Sequence, residues 1–293
     1  MIGAHDMRIA SKTLTLAFFA AAGMTLAHAA DPAPASTDEY RKDELGRIVE
    51  VAGRKATTCP KQTKRTAVLL IAGQSNSANH GGMRFSSAHP GKTVNYFAGN
   101  CYPVASPLLG ATGMRGESWS PLADRLIESG LYDRVVIVTT GIGGTKIGRW
   151  QEGGDLNRML LGVVGDLRAR YRVTHFLWHQ GERDFTLKTS GADYAASFTS
   201  LVATLRTAKV DAPVFISVAS RCGQPGDWKD EDAITTAQRG LVDPAKGIFL
   251  GPETNLLVPP EDRYDRCHFD GPGQRAFADA WLRILTAYAR RAR

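Results

Sequence analysis

The chain has 293 residues, of which 43% are hydrophobic and 22% charged. That balance excludes a disordered or collagen-like polymer and suits one large domain with a buried core. The formal charge of +7 comes from scattered basic residues, with Arg290, Arg291 and Arg293 as the one cluster. Such a charge gives weak long-range attraction to acidic polymers, and no aromatic-interleaved basic stripe points to nucleic acid.

Residues 1 to 29 read as a secretory leader. Arg8 and Lys12 form a basic start, Leu14 to Leu26 an apolar run, and Ala27-His28-Ala29 a small-x-small cleavage site. The apolar run is shorter than the ~20 residues that span a bilayer, and no later segment is long and apolar enough to do so. An exported protein, periplasmic or extracellular, is expected. Residues 30 to 65 are rich in Pro, Ala, Asp, Glu and Lys without sustained periodicity, so they read as a tether or loosely packed arm. The ordered domain is expected over 66–293.

Within it, short apolar runs alternate with helical patterns. Thr66 to Ala72, Val135 to Thr139, Thr174 to Trp178, Val214 to Ala219 and Gly247 to Leu250 are apolar on both faces, as buried parallel strands are. Helices are expected at Ser120 to Ser129, capped by Ser120 with Pro121 in the first turn, at Leu156 to Tyr171 and at Asp193 to Lys209. A last helix carries Phe277, Trp281, Ile284, Leu285 and Tyr288 on one core-facing stripe. Strand and helix in alternation predict an α/β fold with a five-stranded parallel sheet.

The cysteines are Cys59, Cys101, Cys222 and Cys267, an even set that can oxidise in an exported protein. Of the possible pairings, Cys59 with Cys101 and Cys222 with Cys267 join segments that the element order brings to one end of the sheet. No two cysteines stand at CxxC spacing and HExxH is absent, so no metal is expected.

The first strand runs into Gly73-Gln74-Ser75-Asn76-Ser77. Ser75 therefore stands at the carboxyl end of a strand, where open α/β sheets bind ligands. A lone serine there is as well explained as a helix cap, and Ser77 replaces the second glycine of a Gly-x-Ser-x-Gly elbow. Further along, Asp265-Arg266-Cys267-His268 precedes the last helix. A serine hydroxyl needs a base and usually a group to orient that base, and His268 and Asp265 can supply both. Trp178-His179-Gln180-Gly181-Glu182-Arg183-Asp184 follows the third strand at the same end. The Gln180 amide can serve an oxyanion, while Glu182 and Asp184 read as carboxylates that tie down the loop. Gly141-Ile142-Gly143-Gly144-Thr145-Lys146 offers backbone N–H groups but fails both the P-loop and the dinucleotide fingerprints.

Together, Gly73-Gln74-Ser75-Asn76, Gly143-Gly144-Thr145 with Trp150, His179 to Asp184 and Asp265-x-x-His268 resemble the SGNH-hydrolase superfamily. The likeness is to its carbohydrate acetylesterase branch of sialate O-acetylesterase-like proteins and carbohydrate esterase family six, and it spans about Thr66 to Arg293. The resemblance implies a flavodoxin-like, three-layer α/β/α sandwich and a serine esterase that removes O-acetyl or other short acyl groups from carbohydrate. It makes Ser75 the nucleophile, His268 the general base and acid, and Asp265 its orienter. The Ser75 N–H, a glycine N–H (Gly144 first, Gly143 second) and the Gln180 amide form the oxyanion hole, supported by Gln74, Asn76, Glu182 and Asp184. Two departures stand out: the superfamily's usual Asn donor is absent, its role passing to Gln180, and Arg183 occupies a position often small. The partner is an acetylated carbohydrate or polysaccharide, and no cofactor is required. No feature sets an oligomeric state. The alternatives are a lipolytic esterase or thioesterase, and an inactive carbohydrate-binding module. A disulfide to Cys222 would fix the loop of His268 through Cys267.

Overall fold

The computed structural model describes residues 39–229 and 231–291; the expected leader lies outside them. The described residues belong to one compact unit. In chain order they form β1 (Tyr40–Lys42), β2 (Ile48–Val51), β3 (Thr66–Gly73), β4 (Thr93–Phe97), β5 (Asn100–Pro103), α1 (Trp119–Glu128), β6 (Arg134–Thr139), α2 (Asp155–Leu167) and β7 (His175–His179). There follow α3 (Glu182–Thr186), α4 (Gly191–Thr207), β8 (Val214–Val218), α5 (Ala233–Gly240), β9 (Ile248–Glu253), α6 (Thr254–Leu257) and α7 (Gly271–Arg291).

A seven-stranded sheet has the order β5-β4-β6-β3-β7-β8-β9. The five strands expected from the apolar runs form one contiguous block of it, β6-β3-β7-β8-β9, that ends at an edge, and all pair in parallel. Numbered by themselves they run 2-1-3-4-5, the flavodoxin-like order, whose ligand site lies where the winding reverses, between the first and third strands. Two strands were not expected. β4 extends the parallel set beside β6, and β5 turns back antiparallel on β4.

Strand alternation splits the core in two. Val68, Leu70, Ala72, Val136, Val138, Phe176 and Trp178 face α2, α4 and α5 through Leu160, Val164, Phe198, Leu201 and Ile234. Ala67, Leu69, Ile71, Val135, Ile137 and Leu177 face α1 and α7 through Leu122, Leu126, Phe277, Trp281 and Leu285. These are the three layers. Each large aliphatic side chain sealed this way stabilises the fold by about 1.5–3 kcal/mol.

Two expectations are corrected. Ser120 does not cap α1; it lies inside the helix, and its hydroxyl donates to Glu117 Oε1 (2.6 Å). The Glu117 carboxylate instead accepts from the Trp119 and Ser120 amides (2.5 and 2.8 Å), which gives two orphan N–H groups a charged acceptor at the helix start. Residues 39–65, the described part of the expected arm, are also no loose arm. β1 and β2 pair antiparallel, Ile48 is fully buried, and its backbone exchanges hydrogen bonds with Ala111 and Gly110 (2.9 and 2.8 Å). Cys59 is bonded to Cys101 of β5. Tyr40, Ile48 and Val51 are buried, so scarce hydrophobicity did not mean loose packing.

Candidate active site

The nucleophile candidate is positioned by backbone. β3 runs in register with β6 and β7, Gly73 opposite His179. Gly73 sits at φ +131°, and a Cβ there would lie 1.9 Å from the His179 carbonyl oxygen. Only glycine permits that approach. The chain then turns at once into a single 3-10 turn, Ser75–Ser77, with Ser75 buried. Among the described residues no hydrogen bond engages the Ser75 N–H or its hydroxyl.

His268 is positioned by side chains. Its Nδ1 lies 2.6 Å from Asp265 Oδ2, and a carboxylate accepts only, so Nδ1 carries the proton and Nε2 keeps its lone pair. Asp265 Oδ1 also accepts from the Cys267 and His268 amides (3.1 and 2.7 Å). Partial burial pushes the Asp265 carboxyl upward, but the hydrogen bonds and charge of His268 outweigh it and hold the group below its ordinary range. Three ties hold the loop. Cys222 is disulfide-bonded to Cys267, as expected. The Arg263 guanidinium donates to the carbonyls of Val258, Arg221, Thr254 and Cys267. The Asn76 amide, next to Ser75, donates to the Cys267 carbonyl (3.2 Å) and accepts from the Phe269 N–H (3.2 Å).

Asn76 also donates to Glu182 Oε1 (2.9 Å), which lies 3.0 Å from His179 Nε2. Burial raises the Glu182 carboxyl, yet the His179 imidazole and the Asn76 amide outweigh it and bring it down to about 2. Glu182 thus serves as a buried acceptor that fixes Asn76.

Ser75, His268, Gln74, Gly143, Gly144, Glu182 and Arg183 line one cavity of about 670 Å³. The glycine loop differentiates its two N–H groups: Gly143 donates to Thr112 Oγ1 (2.8 Å), whereas no hydrogen bond among the described residues engages the Gly144 N–H. Gln180 departs from expectation. It is fully buried, does not line the cavity, and its Nε2 donates to Gln74 Oε1 (3.2 Å), Thr145 O (3.0 Å) and Asp184 Oδ2 (2.5 Å). Its amide is spent inside the protein because three acceptors surround it. Gln74, expected only as support, has its Oε1 held by Gln180 and by the Arg183 N–H (3.1 Å), and so turns its amide nitrogen to the cavity it lines. Asp184 accepts from the Ile147 N–H (2.7 Å) as well.

His80 was not singled out by any motif. Its ring stacks near that of His268 (5.4 Å, 20°), as does Tyr264 (5.8 Å, 23°), and its Nε2 lies 3.1 Å from Thr112 Oγ1. Burial, reinforced by nearby His268, lowers its pKa to about 4, so His268 has a neutral ring beside it. Trp150 and Trp178 are fully buried and belong to the core; Trp228 lies near the guanidinium groups of Arg221 and Arg263.

A doubly wound sheet with these groups gathered at its reversal point has the architecture of the SGNH and GDSL hydrolases. The chain belongs to the family described as carbohydrate esterase, sialic acid-specific acetylesterase, whose model matches residues 65–282. It is a carboxylic ester hydrolase, an acetylesterase, and its substrate class is acetylated carbohydrate. Similar solved structures include a protein from Arabidopsis thaliana (18% identity, 77% of this chain and 98% of that one, TM-score 0.60). NanS is similar too (17%, 77% and 98%, 0.55), as is a carbohydrate acetylesterase from Xanthomonas citri (16%, 76% and 57%, 0.50). At such identities the likeness is one of fold. No protein of curated function matches the chain by sequence.

Proposed function

We propose that the protein is an exported serine esterase that removes O-acetyl groups from carbohydrate through Ser75, His268 and Asp265. The observation that carries this reading is the 2.6 Å contact of Asp265 with His268 Nδ1, in a cavity that also holds a buried serine and two unengaged backbone N–H groups. His268 Nε2 takes the Ser75 proton as Oγ attacks the acetyl carbonyl. Hydrogen bonds of this kind are often long before substrate binds and tighten in the complex. The tetrahedral oxyanion is received by the Ser75 and Gly144 N–H groups and by the Gln74 amide, with Gln180 holding Gln74 in place. His268 returns the proton to the departing sugar oxygen. Water, deprotonated by the same imidazole, then releases acetate and restores Ser75.

Short acyl groups suit the walls, because among the described residues Leu45 and Ile142 are the only aliphatic side chains lining the cavity and a long acyl chain needs a continuous apolar groove. Export is supported by two disulfides; among the described residues no helix is long and apolar enough to cross a membrane. The test is acetate release from p-nitrophenyl acetate and acetylated sugars by wild type and Ser75→Ala. Loss of activity in the variant and preference for sugars uphold the reading. Preference for long acyl esters would replace it with a lipolytic one, and inactivity of the wild type would leave a binding module.

A further inference from the structure

A second and larger cavity, of about 910 Å³, adjoins the first and takes no part in the chemistry above. Its floor is the carboxyl ends of β4 and β6 at Phe97 and Thr139, one wall is the face of α2 carrying Arg158 and Met159, and the opposite wall is the turn between β1 and β2. That turn joins the two spaces, since Glu44 and Leu45 line both. The Arg149–Asp155 ion pair (2.5 Å) also straddles the boundary, Arg149 on the reactive side and Asp155 on the other.

We propose that this second cavity is a subsite for further sugar units of an acylated oligosaccharide, placed so that the acetylated unit lies at Ser75. The inference rests on the esterase reading and narrows its substrate from a single sugar to a chain. Arg47, on the wall, donates Nε to Asp43 (2.7 Å), which fixes the turn that joins the two spaces. The lining sets the ring and thioether surfaces of Phe97 and Met159 among Asp155, Arg158 and Asp166. That mixture matches a polyol, which presents C–H faces between hydroxyl groups, and mismatches a lipid chain, which would leave the charged groups desolvated and unpaired. Each cavity is of a size that, at roughly 300–1,000 Å³, houses a drug-sized ligand, so the two together exceed the needs of one acetylated ring.

The experiment compares kcat/KM for p-nitrophenyl acetate and for acetylated neutral, amino and acidic sugars of one to four units, in wild type and in Met159→Trp, which fills the cavity. Wild type should gain about tenfold in kcat/KM between one and three units, and Met159→Trp should lower the ratio of tetrasaccharide to p-nitrophenyl acetate activity by about tenfold. Binding of the unacetylated tetrasaccharides, followed by calorimetry on both proteins, should weaken by a similar factor. Length-independent kcat/KM together with equal binding by the two proteins would overturn the subsite. If wild type hydrolyses no ester yet binds tetrasaccharide in a manner lost in Met159→Trp, the esterase reading fails and the subsite stands.

Discussion

The proposed nucleophile and the proposed base are held by different means. Ser75 takes its place from the sheet: all of β3 is buried, paired on both sides, and sent past the His179 backbone by a residue that only glycine can be. His268 has no strand beneath it. Its loop hangs on one disulfide, one guanidinium and one amide. Register is enforced by the hydrophobic pattern of a whole strand, whereas a loop held by separate tethers loosens as each is cut. Substitutions near His268 that spare the proposed triad should therefore change activity by degrees, and those at Ser75 should act all at once.

The largest expected effect is that of Ser75→Ala, which should lower kcat for acetate release by about 10⁴-fold or more. Circular dichroism and thermal unfolding should be those of the wild type, because the strand and not the hydroxyl sets the local geometry. Retention of a tenth of the activity would remove Ser75 from the reaction. Asp265→Asn comes next, at about 10³–10⁴-fold in kcat. An amide can present its N–H to Nδ1 and so favour the imidazole tautomer with Nε2 protonated, which is no base. Equal loss in Asp265→Asn and Asp265→Ala would show that orientation and charge, rather than tautomer, matter most.

The tethers should give intermediate effects. Asn76→Ala leaves the Phe269 N–H and Glu182 Oε1 short of a partner and lets the loop shift, so kcat should fall by about 10–100-fold with KM little changed. The paired variant Cys222→Ser with Cys267→Ser opens a bridge spanning 45 residues; it should cost about 2–4 kcal/mol in unfolding free energy and lower kcat by less than Asn76→Ala. Full activity in the reduced protein would mean that Arg263 and Asn76 suffice.

The same contrast governs what could be read from sequence. The central strands were legible because burial on both faces leaves an uninterrupted apolar run, as in Ala67 to Ala72. β4 was not, since Thr93 and Asn95 interrupt its pattern and are buried all the same, Asn95 bonding the Leu109 backbone (2.7 Å). β1 and β2 were lost among charges because just Tyr40, Ile48 and Val51 turn inward. At the site, Asp265 and His268 share a short loop, and their spacing, weak by itself, gained weight from its place before the last helix. The fate of Gln180 depended on acceptors from positions 74, 145 and 184, which no local motif contains. His80 carried no signal, because what gives it meaning is a ring 188 positions later in the chain.

The smallest effect on activity should come from the far end of β7, where His175 is almost fully buried between Thr174 Oγ1 (2.8 Å) and Tyr132 OH (3.2 Å). Burial lowers its pKa from 6.5 to about 4. Below pH 6.5 the unfolded chain takes up a proton there that the folded chain refuses until about pH 4. Stability therefore declines as pH falls through that window, by up to about 1.4 kcal/mol per pH unit for this one group and about 3 kcal/mol across it. His80 adds a second contribution of the same sign in the same window. The carboxylates act lower, because the depressed Asp265 and Glu182 lose their stabilisation only as pH drops below their ordinary values. His175→Gln should flatten the unfolding free energy between pH 6.5 and 4 by one proton's worth while leaving acetate release within about twofold of wild type. An unchanged slope would mean that His175 is protonated alike in both states, and a large loss of activity would show that the amino end of β7 reaches the site through the sheet after all.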